Sequence, residues 1–184
     1  MNTLLITPFS SVSVNSVREM RRKEKAIEDI EEMKNILQTV KHITIAMCED
    51  NVPYLVTLSH GYDPIEHRIY FHCASEGKKI DILKKNNIVW GQALIDEGYI
   101  QGSCDHLYAT TQFKGKVTFI EDFEEKKAAL QNLIKKLDSK PKQVEEEQLT
   151  EKSINRVAIG KIDIEYMSGK KAEDVIIRDR KSVV

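Results

Sequence analysis

The chain has few of the features that mark specialised protein classes. Its 184 residues include three cysteines, Cys48, Cys73 and Cys104, and no two of them form a C-x-x-C pair. An odd, widely spaced set argues against a disulfide framework and favours a reducing compartment, so we expect a cytoplasmic protein. No run of about 18 apolar residues occurs, and we therefore expect no membrane-spanning helix.

A surplus of one charge is also missing. The 28 basic and 29 acidic residues leave a net charge of -1, and lysines alternate with glutamates along the chain. Nucleic-acid binding needs a basic face, so we expect no nucleic-acid partner. The five histidines show no metal-ligand spacing, and the fragment Cys104-Asp105-His106 has no second pair, so we predict no metal site. No G-x-S-x-G motif occurs, and the sequence assigns no catalytic residue.

The apolar content of 41% is enough for one globular domain. Residues 1–19 are rich in Ser, Thr and Asn, and Pro8 interrupts their apolar residues before a signal sequence can form, so we predict a flexible extension there. The domain itself is predicted over residues 20–168. Residues 169–184 are predicted to be a tail, in which Val175-Ile176-Ile177 could add an edge strand.

Hydrophobic periodicity predicts three main helices and six strands. The helices are expected over residues 20–40, 77–85 and 123–137, the last capped by Asp122 with Glu125 as its reciprocal partner and stopped by Lys140-Pro141. The strands are expected over residues 42–48, 53–60, 68–73, 88–95, 106–120 and 156–167. Glycines predict bulges or kinks at Lys114-Gly115 and at Gly160-Lys161. Residues 144–153 are expected to be a loop or a short exposed helix. This order predicts an α+β fold built on a closed, six-stranded, mostly antiparallel barrel with flanking helices.

The segment from Ile69 to Asn86 carries the clearest chemical signal. A strand runs through Ala74-Ser75-Glu76-Gly77 into a helix that begins with Lys78 and Lys79. Unpaired N–H groups of the first turn, the helix dipole and two ammonium groups together suit a phosphate. Solvent-facing lysines at the start of a helix are more common, however, so both interpretations stay open from this segment alone.

Four segments together resemble the flavin-binding split-barrel proteins related to pyridoxamine 5'-phosphate oxidase, in particular the nitroimidazole-resistance branch. They are RRKEKAI at 21–27, PYLVTLSHGY at 53–62, YFHCASEGKKID at 70–81, and GKV followed by IED between 115 and 122. The resemblance covers about residues 20 to 167. It implies a split-barrel homodimer with one FMN in each of two clefts between the subunits.

Carried over position by position, the resemblance assigns fifteen cofactor-binding residues. Tyr54, Val56, Thr57, Leu58 and Ser59 would lie beneath the isoalloxazine, His72, Cys73, Ala74 and Ser75 along the ribityl chain and ring, Lys78 and Lys79 at the phosphate, and Trp90, Gln92, Tyr108 and Thr111 of the partner would close the cleft. Thr57 stands where the branch commonly has proline, and Ser59-His60 where an asparagine and an aromatic residue are common. These positions would flank the reactive ring face. Apart from the resemblance, Trp90 and Tyr108 suit core filling, and His72 suits a hydrogen-bonded strand position.

The resemblance implies an FMN-dependent oxidoreductase that acts on a small organic substrate. The cofactor would carry the redox step, which agrees with the absence of a catalytic constellation. The alternative is a non-catalytic flavin or haem binding module that serves as a carrier or redox sensor. Oxidation of pyridoxamine 5'-phosphate itself ranks lower, because Arg178 and Arg180 near the end lie in a predicted tail instead of an arginine-rich substrate site.

Overall fold

An antiparallel sheet organises the chain. The computed structural model describes residues 20–172 and Val175, and the sheet within them has eight strands. The strands are β1 (Ala26–Ile27), β2 (His42–Glu49), β3 (Val52–Ser59), β4 (Gly61–Asp63), β5 (Arg68–Cys73), β6 (Ile88–Ile100), β7 (Asp105–Phe119) and β8 (Ala158–Lys171). The helices are α1 (Ile30–Thr39), α2 (Lys78–Lys85), α3 (Phe123–Leu137), α4 (Pro141–Gln148) and α5 (Glu151–Arg156), and a 3-10 turn covers Lys23–Lys25.

The strand order is β3-β2-β6-β7-β8-β5-β4, with β1 paired to β8. The predicted α+β class and antiparallel pairing are confirmed, and the six predicted strands are the six long ones. The predicted barrel is an open sheet and not a closed one, and the short strands β1 and β4 raise the strand count from six to eight. The terminal strands β3 and β4 do not pair with each other. Strand β3 approaches β5 without forming a ladder, and α3 packs against β4.

The first helix begins ten residues later than predicted. Asp29 caps α1 by accepting a hydrogen bond from the Glu31 N–H at 2.9 Å. The preceding residues form β1, in which Ile27 pairs with Gly169. A Cβ added to Gly169 would lie 2.8 Å from the Ile27 Cβ. The isoleucine therefore packs into the space that this glycine leaves, and tertiary pairing overrides the helical pattern.

The predicted irregularity at Lys114-Gly115 is present, and the one at Gly160-Lys161 is not. Lys114 pairs with Tyr166 and Gly115 with Ile164, so Glu165 is the extra residue that changes the phase of β8. Gly160 instead pairs regularly with Phe71. A Cβ on Gly160 would lie 2.2 Å from the Phe71 Cζ, so this glycine makes room for a ring and not for a bend.

The region after α3 is more helical than its sequence indicates. Lys140-Pro141 does not itself end α3, which stops at Leu137. Pro141 is instead the first residue of α4, where its missing N–H is not needed. The uncertain stretch 144–153 falls within α4 and α5. Glu125 does not complete the predicted capping pair with Asp122; its carboxylate accepts a hydrogen bond from Lys161 at 2.6 Å. Asp122 does cap α3, through the Glu125 N–H at 2.8 Å.

The two predicted terminal segments fall mostly outside the described residues. Residues 1–19 lie outside them, as do Ile176 and Ile177 of the predicted edge strand. Residues 169–171 belong to β8, and Val175 is buried. Within the described residues, no helix is both long enough and apolar enough to cross a membrane.

Candidate functional site

A cleft opens where β5 ends, α2 begins and α5 passes into β8. Its volume is about 640 Å³, and we call it the β5–α2 cleft; it is lined by His72, Cys73, Ala74, Ser75, Lys79, Arg156 and Val157. Five of the seven are predicted cofactor-binding residues. None of the seven is acidic, and two carry a positive charge, so the cleft suits an anionic ligand.

The start of α2 supplies backbone donors to this region. Gly77 occupies the N-cap position with φ +126, a conformation that favours glycine, and no side chain caps the helix. The N–H groups of Ile80 and Asp81 bond to the Gly77 carbonyl at 2.8 and 3.1 Å. An uncapped first turn leaves N–H groups and the positive end of the helix dipole available to an anion.

The two lysines at the start of α2 point to different neighbours. Lys78 Nζ lies 4.5 Å from the centroid of the Tyr54 ring on β3, and Lys79 Nζ lies 5.7 Å from that of the Phe71 ring on β5. Consecutive helical residues are about 100° apart around the axis, which separates the two side chains. Lys79 therefore lines the cleft, whereas Lys78 faces the seam between β3 and β5.

Cys73 lies half-buried in the cleft beside Lys79. Burial raises the pKa of its thiol, and the positive charge and hydrogen bond of Lys79 act in the opposite direction. Burial disfavours the thiolate more than the lysine stabilises it. Cys73 is therefore a thiol and not an activated nucleophile.

The predicted residues of β3 divide between its two faces. Tyr54, Val56 and Leu58 pack against the main core. Thr57 faces outward, and its hydroxyl lies 3.1 Å from that of Thr44. Ser59, at the end of the strand, is half-buried and pairs with His42. A flavin could thus meet the backbone edge of β3 or one face of it, but not all five side chains at once.

The remaining predicted residues lie away from the β5–α2 cleft of the same subunit. Trp90 and Gln92 line a second cavity of about 460 Å³ on the outer face of the sheet, with Thr57, Leu55 and Leu94. Tyr108 is half-buried, with Lys170 Nζ 5.7 Å from its ring centroid. Thr111 is fully buried and donates a hydrogen bond to the Met33 carbonyl at 3.0 Å. Their predicted role concerns a partner subunit and stays a prediction.

Sequence reasoning missed Arg156. The register of β5 and β8 pairs Cys73 with Ala158, so Ser75, two residues after β5, and Arg156, two residues before β8, leave the sheet at the same end and line the same cleft. The only local signal is an arginine at the start of a predicted strand. Its position in the cleft depends on a pairing between distant parts of the chain.

The other histidines have structural surroundings. His60 is fully buried with Nε2 2.9 Å from the Leu37 carbonyl, and its Nδ1 has no hydrogen-bond partner among the described residues. His106 Nε2 lies 2.7 Å from an Asp96 carboxylate oxygen. Within residues 20–172 and Val175, no three His, Cys, Asp or Glu side chains converge as a metal site requires.

Comparison with known proteins agrees with this architecture. No curated protein matches the sequence. Among solved structures, a putative 5-nitroimidazole antibiotic resistance protein from Bacteroides thetaiotaomicron is 25% identical, with a TM-score of 0.68 over 79% of this chain and 85% of that one.

Two more distant structures share the fold. The flavocytochrome Anf3 from Azotobacter vinelandii is 18% identical, with a TM-score of 0.74 over 91% of this chain and 78% of that one. A FAD and haem binding protein from Mycobacterium smegmatis is 16% identical, with a TM-score of 0.64 over 87% of this chain and 80% of that one. Residues 29–171 match the Pyridoxamine 5'-phosphate oxidase family, a span that includes every strand from β2 to β8. The chain therefore belongs to the pyridoxamine 5'-phosphate oxidase family, as its split-barrel sheet and the motif around Lys78 and Lys79 predict.

Proposed function

We propose that the protein binds FMN in the β5–α2 cleft and acts as a flavin-dependent oxidoreductase on a small organic substrate. One observation carries the proposal: the end of β5, the uncapped start of α2 and the Lys79 ammonium meet in one cleft without a lining carboxylate. A phosphate monoester carries about -1.5 to -2 charges at neutral pH, and it needs such donors and cations around it. The residues present therefore fit the phosphate end of the cofactor.

The open edge of β3 fits the ring end. Among the described residues β3 pairs only with β2, so its other edge keeps backbone N–H and C=O groups available. That edge faces the seam toward β5, beside Lys78 and Tyr54. Backbone groups in this position would bind and orient the polar edge of an isoalloxazine.

The flavin supplies the redox chemistry when bound. The contribution of this chain is then to bind, orient and shield. Half-buried Cys73 lies where it would exclude water from the ribityl side, and exposed His72 lies at the cleft mouth, within reach of a substrate. No side chain needs to act as a nucleophile in such a mechanism, which agrees with the neutral thiol of Cys73.

The outer face of the sheet supports a homodimer. Leu55 on β3 is 63% exposed, and Trp90 and Leu94 on β6 are 41% and 48% exposed. All three line the same cavity. The Trp90 and Tyr166 rings meet edge to face with their centroids 5.9 Å apart, and Trp90 stays partly exposed. Apolar patches of this kind mark interaction surfaces. A second copy placed here would cover the patch and bring Trp90 and Gln92 near the other subunit's cofactor.

The absorbance of the purified protein tests the proposal. A flavoprotein shows a two-band yellow spectrum and releases FMN on denaturation, whereas a haem protein shows a Soret band. Oxidation of reduced nicotinamide by the holoprotein with an electron acceptor then separates an oxidoreductase from a flavin carrier. A colourless protein that takes up no added flavin would contradict the proposal.

Removing the two lysines tests the phosphate site. We expect Lys78→Ala with Lys79→Ala to weaken FMN binding at least tenfold, because charge-assisted contacts contribute about 1.5–3 kcal/mol each and about 1.4 kcal/mol is tenfold in affinity. Riboflavin, which has no phosphate, should bind the variant as it binds the wild type. Lys84→Ala with Lys85→Ala removes the same charge from the exposed end of the same helix and should leave FMN affinity unchanged. Equal affinity of the first variant and the wild type for FMN would reject the phosphate role.

A further inference from the structure

We propose that Arg156, which lines the same cleft as Lys79, contacts the 5'-phosphate of the bound flavin. This inference rests on the proposed function and adds a residue that lies more than 75 positions away in sequence from the α2 motif. Arg156 and Lys79 are the two cations that line the β5–α2 cleft.

The backbone on both sides of Arg156 is held in place. Helix α5 begins with a capping box, in which the Thr150 hydroxyl accepts from the Ser153 N–H at 3.2 Å and the Ser153 hydroxyl accepts from the Thr150 N–H at 3.0 Å. Ile154, two residues before the arginine, is 1% exposed. Val157, directly after it, packs on the small core cluster that contains Ile159. Arg156 therefore projects from a fixed point and not from a loose loop.

The guanidinium of Arg156 has no carboxylate partner among residues 20–172 and Val175. It forms no hydrogen bond or ion pair with another described residue, and its side chain is exposed. Arg68 on β5 differs, because its Nε donates to the Asp163 carboxylate at 2.6 Å. An arginine without a carboxylate partner, beside a second cation and a helix start, is available to an anionic ligand.

The two cations and the helix offer complementary contacts to a phosphate. A guanidinium can bind two phosphate oxygens at once through parallel N–H groups, while an ammonium acts as a point charge. Together with the N–H groups at the uncapped start of α2, these two side chains would hold the phosphate. Arg156 would therefore make the site select phosphorylated flavins over riboflavin.

Flavin titrations of Arg156→Gln test this role. We expect the variant to lose about tenfold or more in affinity for FMN, as for one charge-assisted bidentate contact, and to bind riboflavin like the wild type. FAD should lose affinity to a similar extent, because it carries the same 5'-phosphate. Arg156→Lys keeps the positive charge but loses the paired N–H groups of the guanidinium, so its FMN affinity should lie between those of the wild type and Arg156→Gln. Arg21→Gln removes an exposed arginine outside the cleft and should change nothing.

The outcomes separate this inference from the proposed function. Wild-type protein that binds neither FMN nor FAD would contradict both. Flavin binding by the wild type with unchanged FMN affinity in Arg156→Gln would overturn the inference alone, and so would an equal loss for FMN and riboflavin. A loss confined to FAD would also overturn it, since the arginine would then contact the adenylate phosphate.

Discussion

Buried His60 makes the stability of this protein depend on pH in a way that one substitution should remove. The ring is fully buried between β3 and β4, with Nε2 2.9 Å from the Leu37 carbonyl at the end of α1 and 2.5 Å from Lys136 Nζ. Burial, reinforced by the Lys136 charge, lowers the pKa of His60 to about 3, although the hydrogen bond to the Leu37 carbonyl opposes the shift. His60 is therefore neutral in the folded protein at pH 5, whereas in the unfolded chain it is mostly protonated.

The direction and size of the effect follow from proton linkage. Because the pKa of the folded state is depressed, the unfolded state binds more protons as the pH falls below about 6.5, and the folded state loses stability until the pH approaches the folded pKa. Between pH 7.5 and 5.0, an unfolded pKa of about 6.5 and a folded pKa of about 3 give a loss of about 2 kcal/mol in the free energy of unfolding. This is a large fraction of the stability of a typical domain.

Urea unfolding at the two pH values measures this loss. His60→Gln keeps a polar group that can bond to the Leu37 carbonyl but cannot titrate, so its stability should fall by about 2 kcal/mol less than that of the wild type over the same pH interval. The comparison is a difference of differences, so any uniform cost of the substitution cancels. His72→Gln, which removes an exposed histidine, is the matched control and should keep the wild-type pH dependence. An equal loss in wild type and His60→Gln would refute the reasoning.

Two other substitutions test the packing and the outer face. Gly160→Ala should lower the free energy of unfolding by about 1–3 kcal/mol, because the new Cβ overlaps the buried Phe71 ring. In urea unfolding, the double variant Gly160→Ala with Phe71→Leu should recover part of this loss. A Gly160→Ala protein as stable as the wild type would show that the ring can move freely. Leu94→Lys places a charge in the apolar outer face and should shift the proposed dimer toward monomer in sedimentation equilibrium. Ile65→Lys, at a site that is 88% exposed in the β4–β5 turn, should leave the association of the wild type unchanged. A Leu94→Lys protein that associates as tightly as the wild type would contradict an interface on this face.

The elements that depend on neighbouring residues could be predicted from the sequence. Helix α2 starts one residue from its expected position, β5 has its predicted bounds, and Asp122 caps α3 as expected. In each case the signal is local, since a cap, a glycine turn or an alternating apolar pattern acts within a few residues. The first helix shows the limit of such signals. Its periodic pattern extends back through residues 26 and 27, but these residues form β1, because Ile27 pairs with the distant Gly169.

Part of the candidate site could also be predicted from the sequence, and part of it depends on the tertiary structure. The motif at Lys78 and Lys79 is contiguous, so both its chemistry and its family resemblance could be read directly. The sequence could not show that Lys78 points toward Tyr54 and Lys79 toward Phe71, because these directions depend on which strands flank the helix. The fifteen predicted cofactor residues likewise separate into a cleft group, a core-facing group and an outer-face group only once the sheet is assembled.

By itself, the sequence determined the α+β class, the antiparallel strands and the lysine-headed start of α2, because these follow from short-range periodicity, turn residues and helix-end chemistry. The tertiary structure alone decided that the sheet stays open, that His60 is buried beside Lys136, and that Arg156 lines the same cleft as Lys79. The physical reason is the same for all three. Strand register and helix packing join residues far apart in the chain, and no local pattern encodes which distant partner fills a given space.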